Sequence, residues 1–274
     1  MIKNSFLVLC VVLCSFTASA QFYVSFSGGY AFGAGEKEFG TNSVLSPTTG
    51  SIVDLGTFEG SYGEGVQTQL RGGYFFNEKW GVEVGVGYIY GTDQQFQKVE
   101  GLLDMKTRGR AFGASLSGIY NITKNVYVRA GVLTKIAGKT EAVVDLTLPA
   151  ALTGTGDVKA DFTTDFRGKF PLGFIGAAGY KFPITERFSL FAEVEYMAIN
   201  VTRDTSELGD FNATLNGTIN VPADALAQQL AVTPLSELAL LLQEKLQWGE
   251  NGLPSPEAPY SSFGINFGIT YNFK

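Results

Sequence analysis

Alternation of apolar and polar residues with a period of two recurs in eight separate stretches of this chain. The last, 263–273, is the plainest: Phe263, Ile265, Phe267, Ile269, Tyr271 and Phe273 alternate with Gly264, Asn266, Gly268, Thr270 and Asn272. Successive side chains of a strand point to opposite faces, so the segment predicts a β-strand with one apolar face and one narrow polar face. The same pattern predicts strands over 22–32, 66–76, 80–90, 110–120, 126–136, 170–182 and 188–198. In each, aromatic and aliphatic residues oppose mostly Gly, Ser, Gln, Arg, Glu or Lys. Ile89, Ile119, Leu133, Ile175 and Phe191 break the rule by standing on the small polar face.

The connections sort into two kinds. Tight turns fall at 77–79, 121–125 and 183–187, whereas the segments after the odd-numbered strands are long. Short turns on one side and long loops on the other are the asymmetry of a membrane barrel with periplasmic turns and extracellular loops. Aromatics band in the same way. Phe22, Tyr74, Phe76, Trp80, Tyr120, Phe182, Phe188, Tyr271 and Phe273 fall at one end, and Tyr30, Phe32, Tyr88, Tyr90, Phe112, Tyr196 and Phe263 at the other. Two girdles around an aliphatic band match the two interfaces of a bilayer. The expectation is an all-β fold: an eight-stranded antiparallel transmembrane β-barrel whose apolar face meets lipid and whose polar face lines a lumen. A soluble secreted barrel is the competing fold.

The first twenty residues read as an address. Lys3, an apolar run over 6–16 and the small-x-small site Ala18-Ser19-Ala20 predict a signal peptide, 1–20, cleaved after Ala20. The barrel domain is then 21–274, in the bacterial outer membrane. Cys10 and Cys14 both lie in the removed segment, leaving the processed chain without a thiol. No later stretch offers the ~20 continuous apolar residues of a spanning helix.

Composition narrows the chemistry. Abundant Gly (34 residues) with 13% aromatics is a barrel cue, and a net charge of −6 without a basic patch argues against nucleic acid. With no His there is no Ser-His-Asp triad and no imidazole metal ligand. Glycine pairs such as Gly85-Val86-Gly87 precede no helix and make no phosphate loop. No catalytic residue, metal or cofactor is expected.

The inward charges are the candidate site. Arg71, Glu83, Arg129, Glu193 and Glu195 all lie a few residues from a tight turn, hence at similar depth, with Lys135 higher and Lys181 lower. Buried charges must pair. A lumen salt-bridge network is therefore expected from Arg71, Glu83, Arg129, Lys135, Glu193 and Glu195, with Arg71 and Arg129 as the hubs, acting as a polar plug or as a gate.

The last loop, 202–258, is acidic and carries a second pattern. Thr233 as cap, Pro234 at the first helical position, leucines Leu235, Leu238, Leu242 and Leu246 at three- and four-residue steps, and Gly249 beyond predict a short amphipathic helix. Its leucines either pack on the other loops, dock another outer-membrane protein, or lie on lipid. In the third long loop, Val144, Leu146 and Leu148, then Val158, Ala160 and Phe162, predict extension of the fifth and sixth strands beyond the membrane.

With its signal segment, eight strands and the ending Tyr271-Asn272-Phe273-Lys274, the chain resembles small outer-membrane β-barrel proteins of the OmpA/OmpX type, and especially the outer-membrane β-barrel domain family of the Bacteroidota. The resemblance implies that the terminal strand, with Tyr271 and Phe273, is the assembly signal read by the barrel-insertion machinery, although Lys274 departs from a strict terminal Phe. Unlike two-domain relatives, nothing is expected after the eighth strand. Lipid and lipopolysaccharide are the implied surroundings. The expected role is non-enzymatic: structural, surface-contact or accessory-subunit. The alternative is a narrow channel or transporter for small or hydrophobic solutes.

Overall fold

A computed structural model describes residues 21–34, 38–46, 48–250 and 253–273. The expected signal segment with its cleavage site, and Lys274, lie outside them. Eight strands form the barrel wall: β1 (Gln21–Gly33), β2 (Gly65–Phe75), β3 (Trp80–Gly91), β4 (Leu103–Asn121), β5 (Val126–Leu148), β6 (Gly173–Pro183), β7 (Phe188–Ala198) and β8 (Ser262–Asn272). Each pairs antiparallel with the next. β8 then pairs with β1, from Tyr23 opposite Asn272 to Gly33 opposite Ser262, and the barrel closes. Closure leaves the wall no unpaired edge, which a strand structure needs in hydrocarbon.

Alternation decides which face is which. Val84 and Phe267 are 60% and 64% exposed, whereas Ser27 and Asn266 are 1% exposed. The apolar residues therefore point outward and the small polar ones inward, the reverse of a water-soluble barrel. Outward rings pair near the rims: Phe22 with Tyr74 (4.8 Å), Trp80 with Tyr120 (4.5 Å) and Phe188 with Tyr271 (5.0 Å) at one end, Tyr88 with Phe112 (4.6 Å) and Tyr30 with Phe32 (5.0 Å) at the other. No helix among the described residues is long and apolar enough to cross a membrane.

Three tight turns share one device. Asn77 Oδ1 accepts from the amides of Lys79 and Trp80, Thr123 Oγ1 from those of Asn125 and Val126, and Thr185 Oγ1 from those of Arg187 and Phe188. A side-chain oxygen thus satisfies two amides that the ladder leaves open.

The sixth strand begins at Gly173, later than the sequence pattern predicts. Phe170 and Leu172 stay in the connection, 80% and 73% exposed, because Pro171 between them has no amide for the ladder. The residues expected to prolong the sixth strand form a separate strand, Val158–Gly168, whereas β5 extends past the barrel as expected and β4, beyond the expectation, extends with it. A bulge at Ile136, between the pairs Phe112–Ala137 and Gly113–Lys135, lets them continue outside the barrel. It also switches the buried parity of β5. Odd residues Tyr127, Arg129 and Leu133 are buried below it, and even residues Thr140, Ala142, Val144, Leu146 and Leu148 above it.

The long connections build a second sheet on these extensions. Strand Val158–Gly168 pairs with outer β5, and strand Asn200–Leu215 pairs with it in turn. On the other side, Gln94–Val99 pairs with outer β4 and leads to the hairpin Glu38–Leu45 and Ile52–Glu59. One face of this sheet is covered by helix α1 (Ala223–Leu230) and a 3-10 helix (Ser236–Leu242). Val144, Leu146, Leu148, Phe162, Leu226, Leu230 and Trp248 share this extracellular core.

The expected helix of the last loop takes a different form. Only Ser236–Leu242 is helical, it is 3-10, and no side chain caps it. Thr233 instead donates to the Leu230 carbonyl (2.8 Å) and accepts from the Leu235 amide (3.2 Å). Three residues per turn set Leu235, Leu238 and Leu241 on one side, all buried. Leu242 and Leu246 are buried as well, so the leucine face closes the extracellular core and presents no contact surface. α1 is the true α-helix of the loop.

Candidate functional site

The lumen is layered. At the periplasmic end Tyr23, Phe75, Ile119 and Tyr127 make an apolar floor. Glycines opposite these rings make room for them: a Cβ on Gly73 would lie 2.2 Å from the Tyr23 ring, and one on Gly179 2.4 Å from that of Tyr127. Lys181 lies among the same rings, its Nζ 4.8 Å from the Tyr127 centroid and 5.0 Å from that of Phe75.

Above the floor the strands bring five charges together. Glu193 is the centre. Arg71 Nη1 donates to its Oε1 (2.9 Å) and Oε2 (3.2 Å). Arg129 donates to the same carboxylate from Nε (3.0 Å) and Nη2 (2.9 Å), and Tyr127 Oη from 2.9 Å. Glu195 takes Arg129 Nη2 and the Gln69 amide, the latter at 2.8 Å. Glu83 lies 3.7 Å from Arg71 Nε and 3.9 Å from Arg129 Nε, and accepts from Tyr23 Oη at 2.8 Å. Arg71, Glu83, Arg129, Glu193 and Glu195 are each at most 4% exposed. Charge-assisted and bidentate contacts of this kind are the strong hydrogen bonds of proteins. Register explains the meeting: Glu193 sits opposite Gly179, Arg129 opposite Ala177, and Arg71 opposite Ser25 and Gly85, so small neighbours leave the centre free for long side chains.

Lys135 does not join them. It stands three inward positions above Arg129, about 20 Å along the strand at 3.3 Å per residue. Its buried Nζ has no hydrogen-bond partner and lies 5.1 Å above the Tyr260 ring. Around it Ile89, Ala111, Leu133, Ile175, Ile199 and Val201 form an apolar upper layer with Tyr62 and Tyr260. Three of the residues that break the alternation, Ile89, Leu133 and Ile175, belong to this layer, and Ile119 belongs to the floor. Phe191 lies under the Arg71 guanidinium, 5.0 Å from it. These five departures mark where the lumen turns apolar.

Tyr23, Tyr127, Gln69 and the Gln67–Asn266 pair (2.8 Å) complete the polar layer without having been singled out from sequence. Strict parity with Arg129 and Ser25 marks Tyr127 and Tyr23 as inward, so the signal was present. Tyr271 and Phe273 sit at the periplasmic rim with their rings 4.8 Å apart.

A search of curated protein sequences finds no match. Among solved structures the chain is similar to the outer membrane protein OprG of Pseudomonas aeruginosa (14% identity, TM-score 0.42, covering 93% of this chain and 96% of that one). It is also similar to a major outer membrane protein of Thermus thermophilus (13%, 0.45, 93% and 99%) and to Ail, the attachment invasion locus protein of Yersinia pestis (11%, 0.35, 93% and 97%). The model of the outer membrane protein beta-barrel domain matches residues 6–219, well over half of the sequence. The chain therefore belongs to the outer membrane protein beta-barrel domain family.

Proposed function

We propose that this protein is a non-enzymatic outer-membrane barrel with a plugged lumen, and that its working surface is the extracellular sheet, in a structural, surface-contact or accessory-subunit role. The observation that carries the reading is the Glu193-centred cluster across a lumen narrow enough for side chains to span. A sheet with its own apolar core, standing outside the barrel, supports the choice of surface. Lipid and lipopolysaccharide would surround the wall, and the barrel-insertion machinery would read Tyr271 and Phe273.

A partner among outer-membrane proteins would meet the sheet elsewhere than at Leu235, Leu238, Leu242 and Leu246, which are buried. The edge strand Ile52–Glu59 offers unpaired backbone together with Val53 and Leu55, 45% and 58% exposed. Purification from native membranes in mild detergent tests this role. A stoichiometric companion is expected with the wild type, and its loss with V53T/L55T; a clean monomer in both cases would remove the accessory-subunit reading. A narrow passage for small or hydrophobic solutes is the second reading, favoured by the cavity above the charged layer. Steady conductance of the wild type in planar bilayers would establish it and rule out the plug.

A further inference from the structure

Above the charged layer lies a cavity of about 100 Å³ inside the barrel. Its walls include Ile89, Leu133, Ile175, Met197 and Val201, and Gly85, Gly87 and Gly113 keep one side free of bulk. Tyr260 and Tyr62, rings 5.4 Å apart, lie across its extracellular end. Lys135 is the one charged residue among those that line it.

That lysine has no counter-charge. Its Nζ is buried and makes no hydrogen bond, and no ion pair engages it among the described residues. Tyr260 offers its ring face 5.1 Å away, while its hydroxyl is occupied by Thr140 Oγ1 at 2.6 Å. The carboxylates of the layer beneath are engaged by Arg71, Arg129, Gln69, Tyr23 and Tyr127. A buried ammonium without a counter-charge is costly. A side chain with that cost, turned into an apolar cavity just below the bulge at Ile136, has the form of a half-made ion pair.

We infer that the cavity binds a small organic monocarboxylate, its carboxylate on Lys135 Nζ and its short apolar body among Ile89, Leu133, Ile175 and Met197. The chemistry follows from the walls. A hydrated inorganic anion would lose its water against aliphatic side chains and regain one contact. A neutral hydrocarbon would leave the ammonium unpaired. A long-chain amphiphile exceeds the volume, since a cavity of about 150 Å³ holds benzene. The site stands independently of the extracellular role, because it needs only the barrel.

Titration by fluorine NMR tests the inference, using the full processed chain in a neutral maltoside detergent against empty micelles. The probes are trifluoropropionate and its uncharged isostere trifluoropropionamide, both smaller than benzene derivatives and suited to a cavity of about 100 Å³. Wild type is expected to bind the carboxylate saturably and at least about tenfold more tightly than the amide, the range of a charge-assisted contact. K135M should abolish that preference. G113L should weaken both probes: a Cβ there meets only the Thr134 carbonyl, at 3.5 Å, so the side chain can enter the cavity. Heat-modifiable migration on a gel shows that each variant is folded. No saturable binding by the wild type, or an undiminished preference in K135M, would overturn the assignment. Should K135M fail to fold, K135Q supplies the same comparison, and unchanged binding in G113L alone would place the probe outside the cavity.

Discussion

At the scale of single residues, Glu193 decides the interior. It compensates two guanidinium groups at once, so Glu193→Ala would leave Arg71 and Arg129 close together without their shared anion. Breaking a buried pair by removing one partner costs about 3–5 kcal/mol. The variant should lose its folded, fast-migrating gel form at a lower temperature than wild type, or pass ions in a planar bilayer; if melting and conductance both stay unchanged, the cluster has no structural weight. Outside the membrane, two carboxylates respond to pH in opposite senses. Burial pushes Glu141 up, but hydrogen bonds from Arg108 and Lys139 outweigh it and hold the carboxyl below its ordinary value. Its contribution is present above the unfolded carboxylate pKa of about 4 and is lost as pH falls through the lower folded value. Asp145 is raised, by burial and then by Asp161 and Asp104 on either side in the sheet. It therefore works against the sheet at neutral pH, and acidification through its raised value relieves that. Amide exchange, corrected for its intrinsic pH dependence, should show Asp145→Asn protecting these strands at pH 7 and Glu141→Gln exposing them, with both differences fading in strong acid. The same sign for both variants at pH 7 would contradict the assignment.

Elements differ in how far the sequence discloses them. The eight barrel strands are legible because hydrocarbon outside and a narrow lumen inside impose alternation on every one of them. The five inner charges are legible for the same reason, since parity and distance from a turn fix both face and depth. Parity is lost at the bulge: Ile136 adds one residue, and nothing in its side chain announces it. The hairpin Glu38–Leu45 and Ile52–Glu59 is hidden for another reason, as neither strand carries strict alternation and the second lies largely exposed. α1 could have been found, with Pro222 before it, Asp224 in the first turn, and Leu226 and Leu230 four residues apart. The leucines of 235–246 fit both helical periods, and the chain takes the tighter one over Ser236–Leu242 before strand Lys245–Gln247. Because Leu230 is fully buried there, Leu230→Ala should cost the extracellular layer about 2–5 kcal/mol. Limited proteolysis should then cut within 215–250 sooner than in wild type, while the barrel keeps its heat-modifiable migration. Equal cutting rates would show that the layer does not depend on this packing.

Across the whole molecule three environments are stacked. The floor and charged layer fill the barrel at membrane depth, an apolar chamber with one unpaired lysine lies above them, and a sheet with a core of its own stands outside. Each follows from what surrounds it. In hydrocarbon the wall can bury polarity only inward, whereas beyond the membrane the same strands bury apolar residues against a helical cover. Everything therefore depends on the outward belt meeting lipid. Nitroxide labels at single cysteines in place of Val84, Phe174 and Phe267 test this directly, since residues 21–274 contain no cysteine. In reconstituted bilayers their relaxation should be enhanced by oxygen, which concentrates in lipid, and hardly at all by a water-soluble nickel complex. Strong enhancement by the nickel complex at these three positions would place the belt in water and contradict the account.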